Sequence, residues 1–202
     1  MSKTKRQTFY SDYNDTINLV KKNGAYSIIV DKFEESGIEI EALWEEVFNK
    51  FEQQISLSNV LILGFGAGSI MKTFRKKYPL SKITGIEIDP EMIRIANDYF
   101  PENMKDVNVI ITDAVSYINN LEDKVMYDLI VVDCYLGGTL FTGISNMQFL
   151  LKLKKIARRV LFNQVFLPHD KEELKKIEYL RTLDAVHKVK ALKLPYNIIL
   201  EY

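Results

Sequence analysis

Val60-Leu61-Ile62-Leu63-Gly64-Phe65-Gly66-Ala67-Gly68-Ser69 is the stretch that decides how this chain is read. Its first four residues form a short, unrelieved apolar run, the pattern of a strand covered on both faces. Glycines at 64, 66 and 68 then permit a sharp turn and let a ligand approach main-chain N–H groups with no Cβ in the way. A helix from about Ser69 to Tyr78 follows, with its positive N-terminal end aimed at the same place. Strand, glycine turn and helix in that order predict a βα unit that holds a ligand.

Downstream, strands and helices alternate. Lys82 to Ile88 reads as a second strand; Asp89 and Pro90 then start a helix as N-cap and first-turn residue. Val107 to Ile111 is a third strand, and Asp113 turns into a helix carrying Val115, Ile118 and Leu121. Tyr127 to Asp133 is a fourth strand, and Ser145 to Gln148 has the capping-box pattern opening a helix to about Arg158. Val160 to Leu167 is a fifth strand, and Asp170 and Glu173 cap a further helix. His187 to Leu194 and Tyr196 to Tyr202 are separated only by Pro195, so they pair antiparallel. This order predicts an α/β protein: a Rossmann-like, doubly wound seven-stranded sheet, mostly parallel with an antiparallel C-terminal hairpin.

Upstream the pattern differs. Thr16 to Val20 and Tyr26 to Val30 are two β-prone runs around Asn23-Gly24, a strong hairpin signal, and Asp31 to Gly37 reads as a polar turn or loop. Residues 1–40 are therefore expected to form an N-terminal β-hairpin appendage, and 41–202 the sheet domain. A helix from about Ile40 to Ile55, with Leu43, Trp44, Val47, Phe48 and Phe51 at three- and four-residue spacing, joins them. Trp44 reads as core.

The chain has 202 residues, enough for one such domain and its appendage. Basic and acidic residues balance at 27 each, which argues against a general nucleic-acid binder. Lys152, Lys154, Lys155, Arg158 and Arg159 on one helix read as a solvated face. A single cysteine, Cys134, precludes an intrachain disulfide and points to a reducing compartment. The polar, basic start is read as a frayed end and not a secretory signal, and no segment has membrane-span length. The expectation is a soluble cytoplasmic protein with no nucleic-acid or membrane partner; a homodimer is compatible with these features. His169 and His187 stand apart in sequence and no cluster has metal-ligand spacing, so no metal is expected.

In a doubly wound sheet the ligand lies beyond the carboxyl ends of the strands, where strand order reverses. Gly64 to Gly68, Glu87, Asp113 and Asp133 all fall at that edge. An acid closing the second strand can accept both ribose hydroxyls of a nucleoside, which suits Glu87, whereas Asp89 has a capping role. Asp113 suits either an exocyclic adenine amine or another helix cap. The dinucleotide pattern G-x-G-x-x-G needs glycine at position 69, where Ser69 stands, and a P-loop lacks its Gly-Lys-Ser/Thr.

The G-x-G-x-G spacing, Asp113 and the antiparallel tail resemble the class I S-adenosylmethionine-binding fold. Val60 to Gly68, Gly85-Ile86-Glu87-Ile88-Asp89, Asp113-Ala114 and Tyr127 to Asp133 are similar to the successive motifs of the spermidine synthase (polyamine aminopropyltransferase) superfamily. Apolar Ile62 agrees with that family, since many methyltransferases carry an acid there. The resemblance implies S-adenosylmethionine or its decarboxylated form as cofactor, bound by Gly64, Phe65, Gly66, Ala67, Gly68, Glu87, Ile88, Asp113, Ala114 and Asp133. It implies that Asp133 is catalytic and that Tyr135 and Leu136 face a small-molecule acceptor.

Two departures bear on the reaction. The family usually has an aspartate where this chain has Ala67, and a second acid where it has Leu136. A buried dication without paired carboxylates is costly, so from sequence methyl transfer is favoured over aminopropyl transfer. A non-catalytic nucleoside-binding protein is the alternative of another class. Cys134 reads as a packing residue, Tyr135 as an aromatic wall, and Gly137 to Phe141 as either a lid or a connector.

Overall fold

A mixed seven-stranded sheet with helices on both faces, and a four-stranded antiparallel sheet before it, make up the architecture. The computed structural model describes residues 4–51, 56–141, 143–165 and 189–202. The main sheet contains β5 (Asn59–Leu63), β6 (Lys82–Glu87), β7 (Val107–Ile111), β8 (Leu129–Val132), β11 (Val160–Val165), β12 (Lys190–Lys193) and β13 (Asn197–Glu201). Its order is β12-β13-β11-β8-β5-β6-β7. From β5 the chain winds outward through β6 and β7, then returns to the other side of β5 to lay down β8 and β11. Strand order thus reverses between β5 and β8. All neighbours from β11 to β7 are parallel, while β13 runs antiparallel to both β11 and β12, as the short Pro195 connection requires.

Alternation along the strands divides the core. Leu61 and Leu63 of β5 pack with Ile130 and Val132 of β8 against α5 (Ala114–Asn119) and α6 (Met147–Ile156). Val60 and Ile62 face Trp44, Val47 and Phe48 of α1 (Ile38–Lys50) and Phe74 of α2 (Ile70–Lys77). α3 (Pro90–Tyr99) is capped by Asp89, whose Oδ1 accepts the N–H groups of Glu91 and Met92. A short α4 (Pro101–Met104) follows it. The cap of α6 is Asn146, one residue later than the capping-box pattern indicates, with its Oδ1 accepting the Gln148 N–H. The expected helix after Asp170 lies outside the described residues.

The N-terminal region departs furthest from the sequence reading. It forms four strands: β1 (Lys5–Ser11), β2 (Asp15–Lys22), β3 (Ala25–Val30) and β4 (Phe33–Ser36). Asn23 and Gly24 take positive φ between β2 and β3, as an Asn-Gly hairpin turn demands. Lys5 to Gln7 of the supposed frayed start belong to β1, and the supposed polar loop contains β4. Both are polar edge strands held by ladder hydrogen bonds, with one well-buried side chain each, Phe9 and Ser36, so neither carries an apolar signature.

This sheet shares a core with the larger one. Phe9, Ile17, Leu19, Ile28 and Val30 pack with Met92, Ile95 and Ala96 of α3 and with Ala67 of the glycine turn. Asp89 Oδ2 accepts hydrogen bonds from Ser11 Oγ and Asn14 Nδ2, tying the β1–β2 turn to the helix cap. The basic run is dispersed: Lys152 and Lys155 pair with Asp123, while Arg158 and Arg159 lie beyond α6 and pair with Asp128 and Glu201. Among the described residues no helix is long and apolar enough to cross a membrane.

Candidate active site

Register brings the predicted residues to one edge. Leu63 pairs with Ile86 on one side and Val132 on the other. The residues that follow these three, Gly64, Glu87 and Asp133, therefore leave the sheet at one level. Glu87 pairs with Ile111, so Asp113 emerges two residues farther along the neighbouring strand. A cavity opens above this edge, beside the strand-order reversal. It is lined by Gly64, Phe65, Gly66, Glu87, Ile88, Asp113, Ala114, Asp133, Tyr135 and Leu136 among the expected residues, and by Glu35 from β4.

The glycine turn is built differently from an anion cradle. Gly64, Gly66 and Gly68 all have positive φ, which accounts for glycine at each. Yet every amide from Gly64 to Gly68 already has an acceptor. Those of Gly64 and Phe65 donate to the Ile86 carbonyl at 3.0 and 2.9 Å, and that of Gly66 to Glu87 Oε2 at 2.8 Å. Ala67 donates to Ser36 Oγ at 3.1 Å and Gly68 to the Phe65 carbonyl at 2.9 Å. The sequence expectation of main-chain donors open to a ligand is thus corrected. Ala67 and Gly68 also fall outside the cavity lining: the Ala67 methyl is buried with the N-terminal sheet, and Gly68 is covered by the Phe65 ring. Ser69 accepts the Gly37 N–H at the start of α1.

Four carboxylates line the cavity, and no Lys, Arg or His does so among the described residues. Glu87 Oε1 accepts the amides of Ile88 and Asp89 at 2.8 and 3.0 Å, and Oε2 that of Gly66. Three of its roughly four acceptor sites are occupied, leaving one strong acceptor for a ligand hydroxyl where the sequence suggested two. Burial raises its pKa, and the three amides pull it back. Asp113 fills the capping role and keeps an oxygen for the other one that sequence left open. Oδ1 accepts the Ser116 N–H as the cap of α5, and Oδ2 is buried with no hydrogen-bond partner among the described residues. A donor from a ligand would satisfy it. Asp133 Oδ1 accepts from Asn163 Nδ2 at 2.7 Å and Oδ2 from Trp44 Nε1 at 3.3 Å. Burial raises its pKa, opposed by the Asn163 and Trp44 donors. Glu35 is pushed well above the usual carboxylate range by burial and by Asp133, Glu87 and Asp31.

A second, wider groove opens from the first and shares Glu35, Ile40, Asp133 and Tyr135 with it. It runs between β4, α1 and the Pro195 turn of the C-terminal hairpin. The two compartments thus meet at Asp133.

The pattern of the spermine/spermidine synthase domain matches residues 47–159, more than half of the chain and including Gly64, Glu87, Asp113 and Asp133. The chain belongs to the spermine/spermidine synthase family. A probable polyamine aminopropyl transferase of Bifidobacterium longum is 33% identical over 98 residues, 48% of this chain and 21% of that protein. This chain spans no more than about half the length of the curated relatives it matches. A probable spermidine synthase from Corynebacterium glutamicum shares the fold, with TM-score 0.77 and 20% identity over 96% of this chain and 78% of that one. Human methyltransferase-like protein 13, solved in complex with SAH, superposes with TM-score 0.62 and 26% identity, covering 80% of this chain and 78% of that one.

Against this family background, several residues lining or supporting the site escape sequence reading. Asn163 projects from β11 and its own Oδ1 accepts from Asn197 Nδ2 of β13 at 2.8 Å, so the antiparallel hairpin holds the amide that holds Asp133. Trp44 is core as expected, but its indole N–H reaches Asp133. No local motif marks either residue; both reach Asp133 from segments distant in sequence. The Tyr135 hydroxyl accepts the Val165 N–H and donates to the Asn163 carbonyl, locking the ring at the boundary of the two cavities. Cys134 is buried and its thiol is pushed well up by burial and by Glu87 and Asp133, in keeping with a packing role. Gly137 and Gly138 form the turn between β9 (Tyr135–Leu136) and β10 (Thr139–Leu140), set against Asp31 and Phe33 of the N-terminal sheet. Trp44→Phe keeps most of the packing and removes one donor to Asp133. The acidic limb of the activity profile is expected to move to higher pH; an unmoved limb would show that the indole does not tune this carboxylate.

Proposed function

We propose that this chain is a transferase that binds a sulfonium nucleoside in the first cavity and transfers its aminopropyl group to an amine in the second. One observation carries this reading: four carboxylates face the cavity, with no basic side chain and no open loop amide among the described residues. Such a lining favours cations and disfavours anions. A pyrophosphate-bearing dinucleotide finds no basic side chain and no open loop amide there among the described residues. S-adenosylmethionine brings a carboxylate that would meet only like charge, whereas the decarboxylated form lacks that carboxylate and keeps the ammonium that both carry. This lining supports the family's aminopropyl chemistry over the methyl transfer favoured from sequence. Methyl transfer remains the second reading, supported by apolar residues at 67 and 136.

In this reading Glu87 holds a ribose hydroxyl and Asp113 Oδ2 accepts from the adenine amine. Asp133 takes the proton released as the acceptor nitrogen forms the new C–N bond; the S–C bond breaks and its electron pair stays on sulfur. A carboxylate with a raised pKa is a better proton acceptor than an ordinary one. Much of the acceleration would come from alignment of the two substrates.

Calorimetric titration tests the reading directly. Decarboxylated S-adenosylmethionine is expected to bind more tightly than S-adenosylmethionine, and NAD not at all. Tighter binding of S-adenosylmethionine would return the assignment to methyl transfer, and binding of NAD alone would overturn both. Glu87→Ala should weaken nucleoside binding by about 1.5–3 kcal/mol, the worth of a hydrogen bond to a charged group. It should also lower thermal stability, because three amides lose their acceptor. Unchanged nucleoside affinity would mean that the ribose is held elsewhere.

A further inference from the structure

Both oxygens of Asp133 meet a donor, and the two contacts are unequal. Oδ1 lies 2.7 Å from Asn163 Nδ2, whereas Oδ2 lies 3.3 Å from the Trp44 indole nitrogen. The oxygen with the stronger bond gives up more by taking a proton, so protonation falls on the other.

The amide that makes the stronger contact is itself fixed. Asn163 is buried and pairs with Ile199 of β13, and its main-chain carbonyl accepts the Tyr135 hydroxyl. Its side-chain Oδ1 is engaged by Asn197 Nδ2 at 2.8 Å, which leaves the Nδ2 end to face Asp133. Asn197 is anchored in turn: it pairs with Val165 of β11, and its carbonyl accepts the Leu194 N–H across the Pro195 turn. The result is a chain of side-chain hydrogen bonds with one direction, from the C-terminal hairpin to a single oxygen of Asp133.

We propose that Asn163 and Asn197 are positioning residues: they hold Asp133 by Oδ1 and so make Oδ2 the oxygen that takes the proton. An N–H bond of the acceptor breaks, its electron pair stays on nitrogen, and the O–H bond forms at Oδ2, beside the indole. Oδ1 keeps its donor throughout. This assignment rests on the proposed function only in taking Asp133 as the proton acceptor.

Trp44 is the single tryptophan of the chain, so its indole N–H gives one NMR signal next to Oδ2. Glu35 of β4, Glu87 of β6, and the adjacent Cys134 and Tyr135 are the titratable groups around Asp133; Lys32, Glu34, Glu39 and Glu46 line the second groove. All of them are present in every variant below, and Asp133→Asn separates their effect on the indole from that of Asp133.

The experiment follows two signals of the full chain through an acid titration. One is the side-chain carboxyl carbon of Asp133, identified by its absence from Asp133→Asn; the other is the Trp44 indole N–H. In the wild type the indole proton is expected to move upfield with the same midpoint as the carboxyl, because its charged acceptor becomes neutral. In Asn163→Leu the Asp133 midpoint moves to higher pH, since a donor to the ionised form is gone, and the indole responds less because Oδ1 now shares the proton. Asn197→Ala moves the midpoint the same way by less, and adds nothing in the Asn163→Leu background, because it acts through that amide. This half-buried position keeps the proposal open to refutation should Asn163→Leu not fold. A carboxyl that titrates while the indole stays still puts the proton on Oδ1 and overturns the proposal. So does an unmoved midpoint in either single variant, the result for a merely structural residue, and so do additive shifts in the double variant. None of these readings needs a substrate. Turnover retained by Asp133→Asn is a separate failure: it removes Asp133 as proton acceptor, and the proposed step with it, while the titration result stands.

Discussion

Asp133→Asn is expected to lower kcat by about two to four orders of magnitude, the usual worth of a positioned proton acceptor, with nucleoside affinity unchanged. The substitution keeps the size of the side chain. Its amide oxygen can still accept from Asn163 Nδ2, which lies 2.7 Å from Asp133 Oδ1, so the placement of the group survives. What is lost is the negative charge and the capacity to take a proton. The Trp44 indole then faces an amide NH2 in place of an oxygen, a minor penalty across a 3.3 Å contact. Steady-state kinetics and calorimetry on the same preparation separate the two effects. A variant that turns over at the wild-type rate would make Asp133 structural, an organiser of the loop after β8. A variant that loses nucleoside affinity would make it a binding residue instead.

Gly64→Ala is expected to be the most damaging small substitution in the turn. A Cβ at this position would lie 2.1 Å from the Asp133 carbonyl oxygen, 2.6 Å from its carbon and 2.9 Å from Cys134 Cα, all of them backbone atoms. Gly64 also has φ of 78°, a left-handed conformation that costs other residues about 1–2 kcal/mol. Overpacking adds about 1–3 kcal/mol. Together these predict a loss of about 2–5 kcal/mol, or roughly 4–20 °C in Tm for a chain of this size. Because the atoms struck belong to Asp133, activity should fall further than stability implies. Gly66→Ala is the control. Its φ is equally positive, but its nearest neighbour is the Ser36 hydroxyl at 3.2 Å, the end of a side chain that can turn away. Thermal melts showing equal stability for the two variants would mean that the turn yields where the close approach of β5 and β8 says it cannot.

The strand edge was largely legible because its signals are local. Apolar runs, the glycine spacing, Asp89 before Pro90 and the Asn23-Gly24 turn each impose a backbone geometry within a few residues, and each stands where sequence placed it. The polar strands β1 and β4 were illegible for the converse reason. Little of their side-chain surface is buried, and their partners lie elsewhere in the chain. The same holds for Asn163 and Trp44, which meet at Asp133 from 30 and 89 residues away.

By itself, then, the sequence determined the α/β sheet, its antiparallel tail and the edge at which Gly64, Glu87, Asp113 and Asp133 gather, since alternation and turn chemistry act along the chain. Only the tertiary structure decided which charges line that edge. Satisfying the loop amides internally, burying Ala67 under the N-terminal sheet and placing Glu35 of β4 in one cavity lining with Asp133 are long-range events. They leave a cavity lined by acids without bases among the described residues, and charge balance in a buried space depends on which groups meet there, not on where they stand in the chain.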